Sequence, residues 1–325
     1  MHILIANNTL IPALQYGGTE RVIWWLGKEL VKRGHKVTYL VKKGSVCDFA
    51  DVHYYDSQQS INSQIPDDVD LIHMHFVTDE VFSRPMVTTV HGNPAFGTAL
   101  PLNSVFVSRN HAERYGSQHF VYNGLDFSDY GDPGLNNPRT YFHFLGKAAW
   151  RVKNLRGAIQ IAKGAHEKLV VIGGHRLNFK MGFRFTPNLD VRFKGMVGSE
   201  RKNELLRHSK GLIFPVLWNE PFGLAIIESM YFGCPVFGTP YGSLPELVTS
   251  ETGYLSNSKK ELINAVKHSS FLPQKCHEYA ITNFNAEKMT LNYLNYYELV
   301  LNGNTLNDIP PTLQKEQIEK FLPFF

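Results

Sequence analysis

The chain has 325 residues, 43% of them apolar, and a net charge of +4. That is enough chain for two cores of ordinary domain size, and the small positive balance, scattered or set on helix faces, argues against nucleic-acid binding while leaving peripheral contact with an anionic membrane open. Three cysteines, Cys47, Cys234 and Cys276, form no metal-ligand spacing and suit a reducing compartment. The opening MHILIANN is too short and uncharged for a signal peptide, and no apolar run approaches the ~18 residues of a membrane span, so the expected location is the cytoplasm, with the inner face of a membrane as the place for any peripheral contact.

In chain order, residues 2–6 read as a buried strand, and a loop through Pro12 delivers Tyr16-Gly17-Gly18-Thr19 to the start of a helix. Val22, Trp25, Leu26 and Leu30 recur at helical spacing, Gly34 is placed to stop that helix, and Val37–Val41 follows as a second strand. Strand, glycine turn and helix open a nucleotide-type fold, although GGT lacks the specificity of GxGxxG. Candidate strands follow at Val52–Tyr55, Val69–His75, Met86–His91, Ser104–Val107 and Phe120–Tyr122, separated by short polar or helical pieces, which is the pattern of a parallel sheet. Ligands gather beyond the carboxyl ends of such strands, where His75 and His91-Gly92 fall. Asp68-Val69-Asp70 matches DxD but reads as a loop feeding a strand, so no metal is expected.

The turn-rich stretch from Gly131 to Pro138 is the best domain boundary. A second sheet starts at Thr140–Gly146 and continues with Leu169–Gly174, Val191–Gly198 and Gly211–Pro215, and helices are expected at Lys259–Lys267, Gln274–Thr282 and Ala286–Leu301. There is no internal sequence repeat. The most informative stretch runs from Gly211 to Leu247: a strand, the loop Trp218-Asn219-Glu220-Pro221, then Phe222-Gly223-Leu224 opening a helix. The first amides of a helix have no partner inside it and carry partial positive charge, so Phe222, Gly223 and Leu224 offer a phosphate site. Glu220 and Glu228 stand eight residues apart, one before the helix and one inside it, about 10 Å along one ligand. A carboxylate in the helix can accept from both hydroxyls of a ribose, and one on the loop can reach a sugar beyond the diphosphate, so the implied ligand is a nucleotide diphospho-sugar. The bland alternative makes Glu220 a helix cap and Glu228 part of a solvated face.

E-P-F-G-L, seven residues between the two glutamates, then G-C-P-V, G-S-L-P-E-L-V and T-G-Y-L resemble the retaining glycosyltransferases of the GT-B fold, family 4. The resemblance runs from Gly17-Gly18 to about residue 300 and is densest between Thr140 and Leu255. It implies an α/β chain of two Rossmann-like domains with parallel sheets facing across a cleft, residues 1–130 on the acceptor side, 139–284 binding the nucleotide-sugar, and 285–325 as helices returning to the first domain. It implies further that Gly17 and Gly18 approach the donor diphosphate, that Lys147 and Lys153 grip it, that Met196 and Val197 face the base, and that Glu228 holds the ribose. Glu220 and His91 take the catalytic roles, at the donor sugar and its reacting edge.

Two departures bear on this. Lys147 stands where relatives usually have arginine, which leaves a point charge without a bidentate fork. Only about ten residues, Phe76 to Pro85, join two strands where larger relatives insert helices, so the acceptor pocket is trimmed and no acceptor residues carry over. Tyr122-Asn123-Gly124-Leu125-Asp126 resembles the P-N-G-V-D that closes the first domain, and the FLPFF tail is expected to cap the first core, to meet a membrane or partner, or to be loosely ordered. The expected activity is metal-independent retaining transfer from a nucleotide donor, by expectation UDP-linked, to a glycan, lipid-linked or small-molecule acceptor. A non-catalytic nucleotide-sugar-binding subunit and an epimerase or hydrolase on the same scaffold are the alternatives.

Overall fold

Apolar runs buried on both faces build the centre of the first sheet, as all-parallel strands covered by helices require, while its edge strand at Asp51–Tyr55 is largely exposed. β1 (His2–Ala6), β2 (Lys36–Lys42), β3 (Asp51–Tyr55), β4 (Leu71–Met74), β5 (Met86–Val90) and β6 (Ser104–Phe106) pair in parallel in the order β3-β2-β1-β4-β5-β6. The structure is a computed structural model that describes residues 1–13, 17–179 and 183–325. Leu14, Gln15 and the Tyr16 of the expected glycine turn lie outside the described residues, as do residues 180–182. Helix α1 (Gly18–Lys32) buries Val22, Ile23, Trp25, Leu26 and Leu30 against this sheet, on the spacing that the sequence displays. Helix α2 (Arg109–Arg114) is capped by Ser108, whose hydroxyl accepts from the His111 amide at 3.2 Å.

A second sheet repeats the plan. β7 (Tyr141–Leu145), β8 (Leu169–Ile172), β11 (Val191–Phe193), β12 (Ser209–Phe214), β13 (Val236–Gly238) and β14 (Gly253–Leu255) pair in parallel in the order β11-β8-β7-β12-β13-β14, while β9 (Leu177–Asn178) and β10 (Arg184–Phe185) form a separate antiparallel hairpin. Its helices are α3 (Leu155–Gly164), α4 (Ser199–Arg207), α5 (Leu224–Tyr231), α6 (Leu244–Leu247), α7 (Lys259–His268) and α8 (Pro273–Asn283). Phe142, Phe144, Ile161, Leu169, Ile213 and Leu262 centre the core between sheet and helices, each such side chain stabilising by roughly 1.5–3 kcal/mol.

The chain divides into two compact units, Met1–Asp126 with Phe284–Glu316, and Phe127–Asn283 with Gln317–Phe325. The last helix, α9 (Ala286–Leu301), is capped by Asn285, belongs to the first unit and packs on α1 and β5. Its Tyr297 hydroxyl meets His73 Nδ1 at 2.7 Å and its Tyr293 hydroxyl meets Thr89 Oγ1 at 2.9 Å, both fully buried.

Two features differ from the sequence reading. The expected strand at Phe120–Tyr122 is one bridge from Phe120 to Phe106, because β6 offers only three residues before the chain turns and Tyr122 packs its ring on Phe284. The tail groups with the second unit: the Leu322 amide donates to Leu217, the Phe325 amide to Asn257, and Phe324 packs on the second core. The Asp68 and Asp70 carboxylates serve the first sheet, Asp68 pairing with Lys36 at 2.7 Å and Asp70 accepting from the His2 amide at 2.7 Å.

Candidate functional site

In the second unit the strand order reverses between β7 and β12, and the loops that leave their carboxyl ends meet there. This is the switch point at which open α/β sheets take ligands. The loop after β7 carries Lys147 and, on a short 3₁₀ turn at Arg151–Lys153, Lys153. The loop after β12 carries Trp218 and Glu220. Because β7 and β12 are neighbours, Lys153 Nζ reaches Glu220 Oε2 at 2.5 Å, and both side chains are buried. Trp218 Nε1 donates to the same carboxylate oxygen at 2.9 Å, and the Lys153 ammonium also lies 5.1 Å from the ring centres of Phe214 and Trp218. Lys147 is exposed, 5.2 Å from the Trp150 ring. Arg151, a further candidate for the diphosphate, lies over Phe321 of the tail at 5.0 Å.

Two glycines shape this corner. Gly223, at φ +87°, is the residue before α5, so the helix proper starts at Leu224 and no side chain caps it. Phe222 is 2% exposed and its carbonyl accepts from Ser243 Oγ at 2.6 Å. Gly242, at φ +63°, lies against the Glu220 backbone, where an added Cβ would stand 2.3 Å from the Glu220 amide nitrogen. Any side chain there displaces the loop that holds the glutamate.

Glu228 lies on the second turn of α5 and is only 4% exposed, so it belongs to no solvated face. Its Oε1 accepts from the Tyr130 hydroxyl at 2.8 Å and pairs with the Lys202 ammonium of α4. His143 of β7 fixes the adjacent part of the helix: Nδ1 meets Ser209 Oγ at 2.6 Å, Nε2 meets Ser229 Oγ at 2.8 Å, and burial pushes the imidazole down to about 3. Met196 and Val197 sit between β11 and α4, with Met196 39% exposed. Lys202, Tyr130, His143 and Trp218 were not singled out from sequence. Only Trp218, two residues before E-P-F-G-L, lies close to a recognisable motif.

Gly17, Gly18 and His91 belong to the first unit. Its strand order reverses between β1 and β4, and Gly17-Gly18 leads into α1 after β1 while His75 and His91 follow β4 and β5. His75 Nδ1 and His91 Nε2 are 2.8 Å apart. His73 is fully buried between Tyr297 and Thr89, a core role. Burial pushes His73 down to about 3 and His91 down to about 4, so both are neutral near pH 7. These surroundings make His91 a neutral hydrogen-bonding group. No helix among the described residues is long and apolar enough to cross a membrane.

Residues 139–269 match the family model described as glycosyl transferases group 1. Comparison with curated proteins gives no match. Among solved structures, the chain is similar to AviGT4, a glycosyltransferase involved in avilamycin A biosynthesis, at 18% identity and a TM-score of 0.77, covering 94% of this chain and 99% of that one. Sucrose-phosphate synthase from Thermosynechococcus elongatus follows at 17% identity and a TM-score of 0.68, covering 93% and 100%. HepE from Anabaena, solved in complex with UDP and glucose, gives 15% identity and a TM-score of 0.65, covering 92% and 99%. These likenesses identify the α/β architecture as the GT-B fold.

Proposed function

We propose, from the match of residues 139–269 to the model described as glycosyl transferases group 1, that the protein is a retaining, metal-independent glycosyltransferase that moves a sugar from a nucleotide-diphosphate donor, a UDP-sugar, to a glycan, lipid-linked or small-molecule acceptor. The observation that carries this reading is the buried Lys153–Glu220 pair at the switch point, beside an uncapped helix N-terminus with Glu228 buried in its second turn. The complex of HepE with UDP and glucose supports the choice of UDP.

In this reading the departing diphosphate meets Lys147, Lys153 and the amides at Gly223–Leu224, and Glu228 takes the ribose hydroxyls. Such preorganised charge accelerates the reaction because it costs no reorganisation as negative charge develops on the leaving group. Lys153 is shared: a diphosphate that draws the ammonium toward itself frees Glu220 to accept from the sugar hydroxyls and to stabilise positive charge at the reacting carbon. Glu220 comes two residues before the phosphate turn, on the leaving-group side, which supports same-face transfer with retention over attack from behind.

Incubation with separate UDP-, GDP- and ADP-sugars, with and without EDTA, tests the reading. Nucleotide release from the UDP-sugar alone, undiminished by chelation, is expected. NMR of the first-formed product should find the donor's anomeric configuration; an inverted centre, or transfer abolished by EDTA and restored by Mg²⁺, overturns the mechanism.

A further inference from the structure

His91 is partly exposed at the end of β5 with Nε2 turned to His75, so Nδ1 is the nitrogen left for a ligand. Whether it offers a proton or a lone pair depends on His75. The two rings stack at 5.1 Å with planes 22° apart, and His75 is 5% exposed. His75 Nε2 is buried without a hydrogen-bond partner among the described residues. The ring beneath it, His73 at 4.1 Å, cannot supply one, since both its nitrogens are committed to Tyr297 and Thr89.

Burial keeps both His75 and His91 neutral near pH 7, so each imidazole carries one N–H and one lone pair. The 2.8 Å contact then has two proton arrangements. If His91 Nε2–H donates, His75 accepts at Nδ1 and its own proton must sit on Nε2, a buried N–H with no acceptor. If His75 Nδ1–H donates, its Nε2 is a bare lone pair, and the His91 proton sits on Nδ1. A buried donor without an acceptor is the rarer and costlier defect, whereas an under-used acceptor is better tolerated. The second arrangement wins.

We propose that His75 is a positioning residue that fixes His91 as the Nδ1–H tautomer, so that His91 meets the sugar nucleotide as a hydrogen-bond donor and takes one of its acceptor oxygens. The identity of that ligand rests on the glycosyl-donor reading above; the tautomer does not. A histidine free in water favours the Nε2–H form, so the pair holds His91 in its less common state.

Long-range ¹H–¹⁵N correlation spectra of the full chain labelled with ¹⁵N-histidine read the tautomer directly, the His91 signals being those lost in His91→Asn. The expected result is a protonated Nδ1 and a bare Nε2 on His91. In His75→Asn, whose side-chain amide can donate from the place of Nδ1, that pattern should persist; in His75→Leu, His91 should revert to Nε2–H. A parent spectrum with Nε2 protonated overturns the proposal without any variant, and so does a His91 tautomer unchanged in His75→Leu. With a UDP-sugar as substrate, kcat/KM should stay within a few fold in His75→Asn and fall at least ~10-fold in His75→Leu, and His91→Asn should retain more activity than His91→Gln. Equal loss in the Asn and Leu variants of His75 also counts against it. If no nucleotide-sugar is turned over at all, the glycosyl-donor reading fails while the spectra still decide the tautomer.

Discussion

At the carboxyl end of the first sheet the buried polar side chains are neutral: His73 between two hydroxyls and His75 against His91. At the carboxyl end of the second they are paired ions, Lys153 with Glu220 and Lys202 with Glu228. The strand orders are the same, so the contrast comes from the side chains. A neutral imidazole needs only its hydrogen bonds, but it cannot become charged without leaving its site. A buried ion pair keeps full charge available for a ligand, and each member depends on the other being present. The first end is suited to shaping and hydrogen bonding, the second to meeting a charged leaving group.

The largest expected effect breaks an ion pair. Lys202→Met should destabilise the second unit by about 3–5 kcal/mol, because Glu228 is left buried without its cation; urea unfolding followed by a reporter in that unit measures it. A loss well under 1 kcal/mol would mean that the pair is not a dependency. Next comes Glu220→Gln, expected to lower kcat by at least ~10²-fold, on the scale of one lost electrostatic contact to the transition state, with donor affinity changed much less. Near-parent turnover would remove Glu220 from the catalytic residues. Glu228→Ala should weaken UDP and UDP-sugar alike by about 1.5–3 kcal/mol through lost charge-assisted hydrogen bonds. Calorimetry that finds equal affinity in parent and variant would put the ribose elsewhere.

The smallest effect separates the units by acid. His73 and His111 are held down to about 3 and His91 to about 4 in the first unit, against His143 at about 3 in the second. Below the ordinary value near 6.5 the unfolded chain binds protons that the folded chain refuses, so stability present above that pH falls as pH drops toward 4. Each such histidine contributes a loss of about 0.7 kcal/mol between pH 7 and pH 6. Thermal unfolding with a reporter in each unit should therefore find the first unit more acid-sensitive; equal slopes would erase the contrast.

Much of this was legible in the sequence. Helices expected at Lys259–Lys267 and Gln274–Thr282 extend by only a residue at each uncertain end, to His268 and Pro273–Asn283, because their apolar spacing is strong. Glu220 and Glu228 stood out through their loop and helix setting. Their partners did not: Tyr130 lies 98 residues from Glu228, and Lys202 sits in a helix, SERKNELLR, whose polar composition reads as exposed. Pairing across such separations is set by which strands become neighbours, and local pattern does not encode that. The shared strand order likewise left no sequence repeat, since alternating strands and helices joined by right-handed crossovers suffice to produce it.

The crossing of α9 into the first unit has a consequence for synthesis. His73 is joined to Tyr297, 224 residues later, and Thr89 to Tyr293, 204 residues later. A ribosome that has made the first six strands has therefore not yet made the helix that covers β5, and the whole second sheet must emerge before that surface can close. Domains generally fold in the order in which they leave the ribosome, but here the unit that begins first cannot close until the second sheet has been made. Limited proteolysis of nascent chains arrested at successive lengths should find residues 127–283 protected before residues 1–126; protection of residues 1–126 ahead of α9 would refute that order.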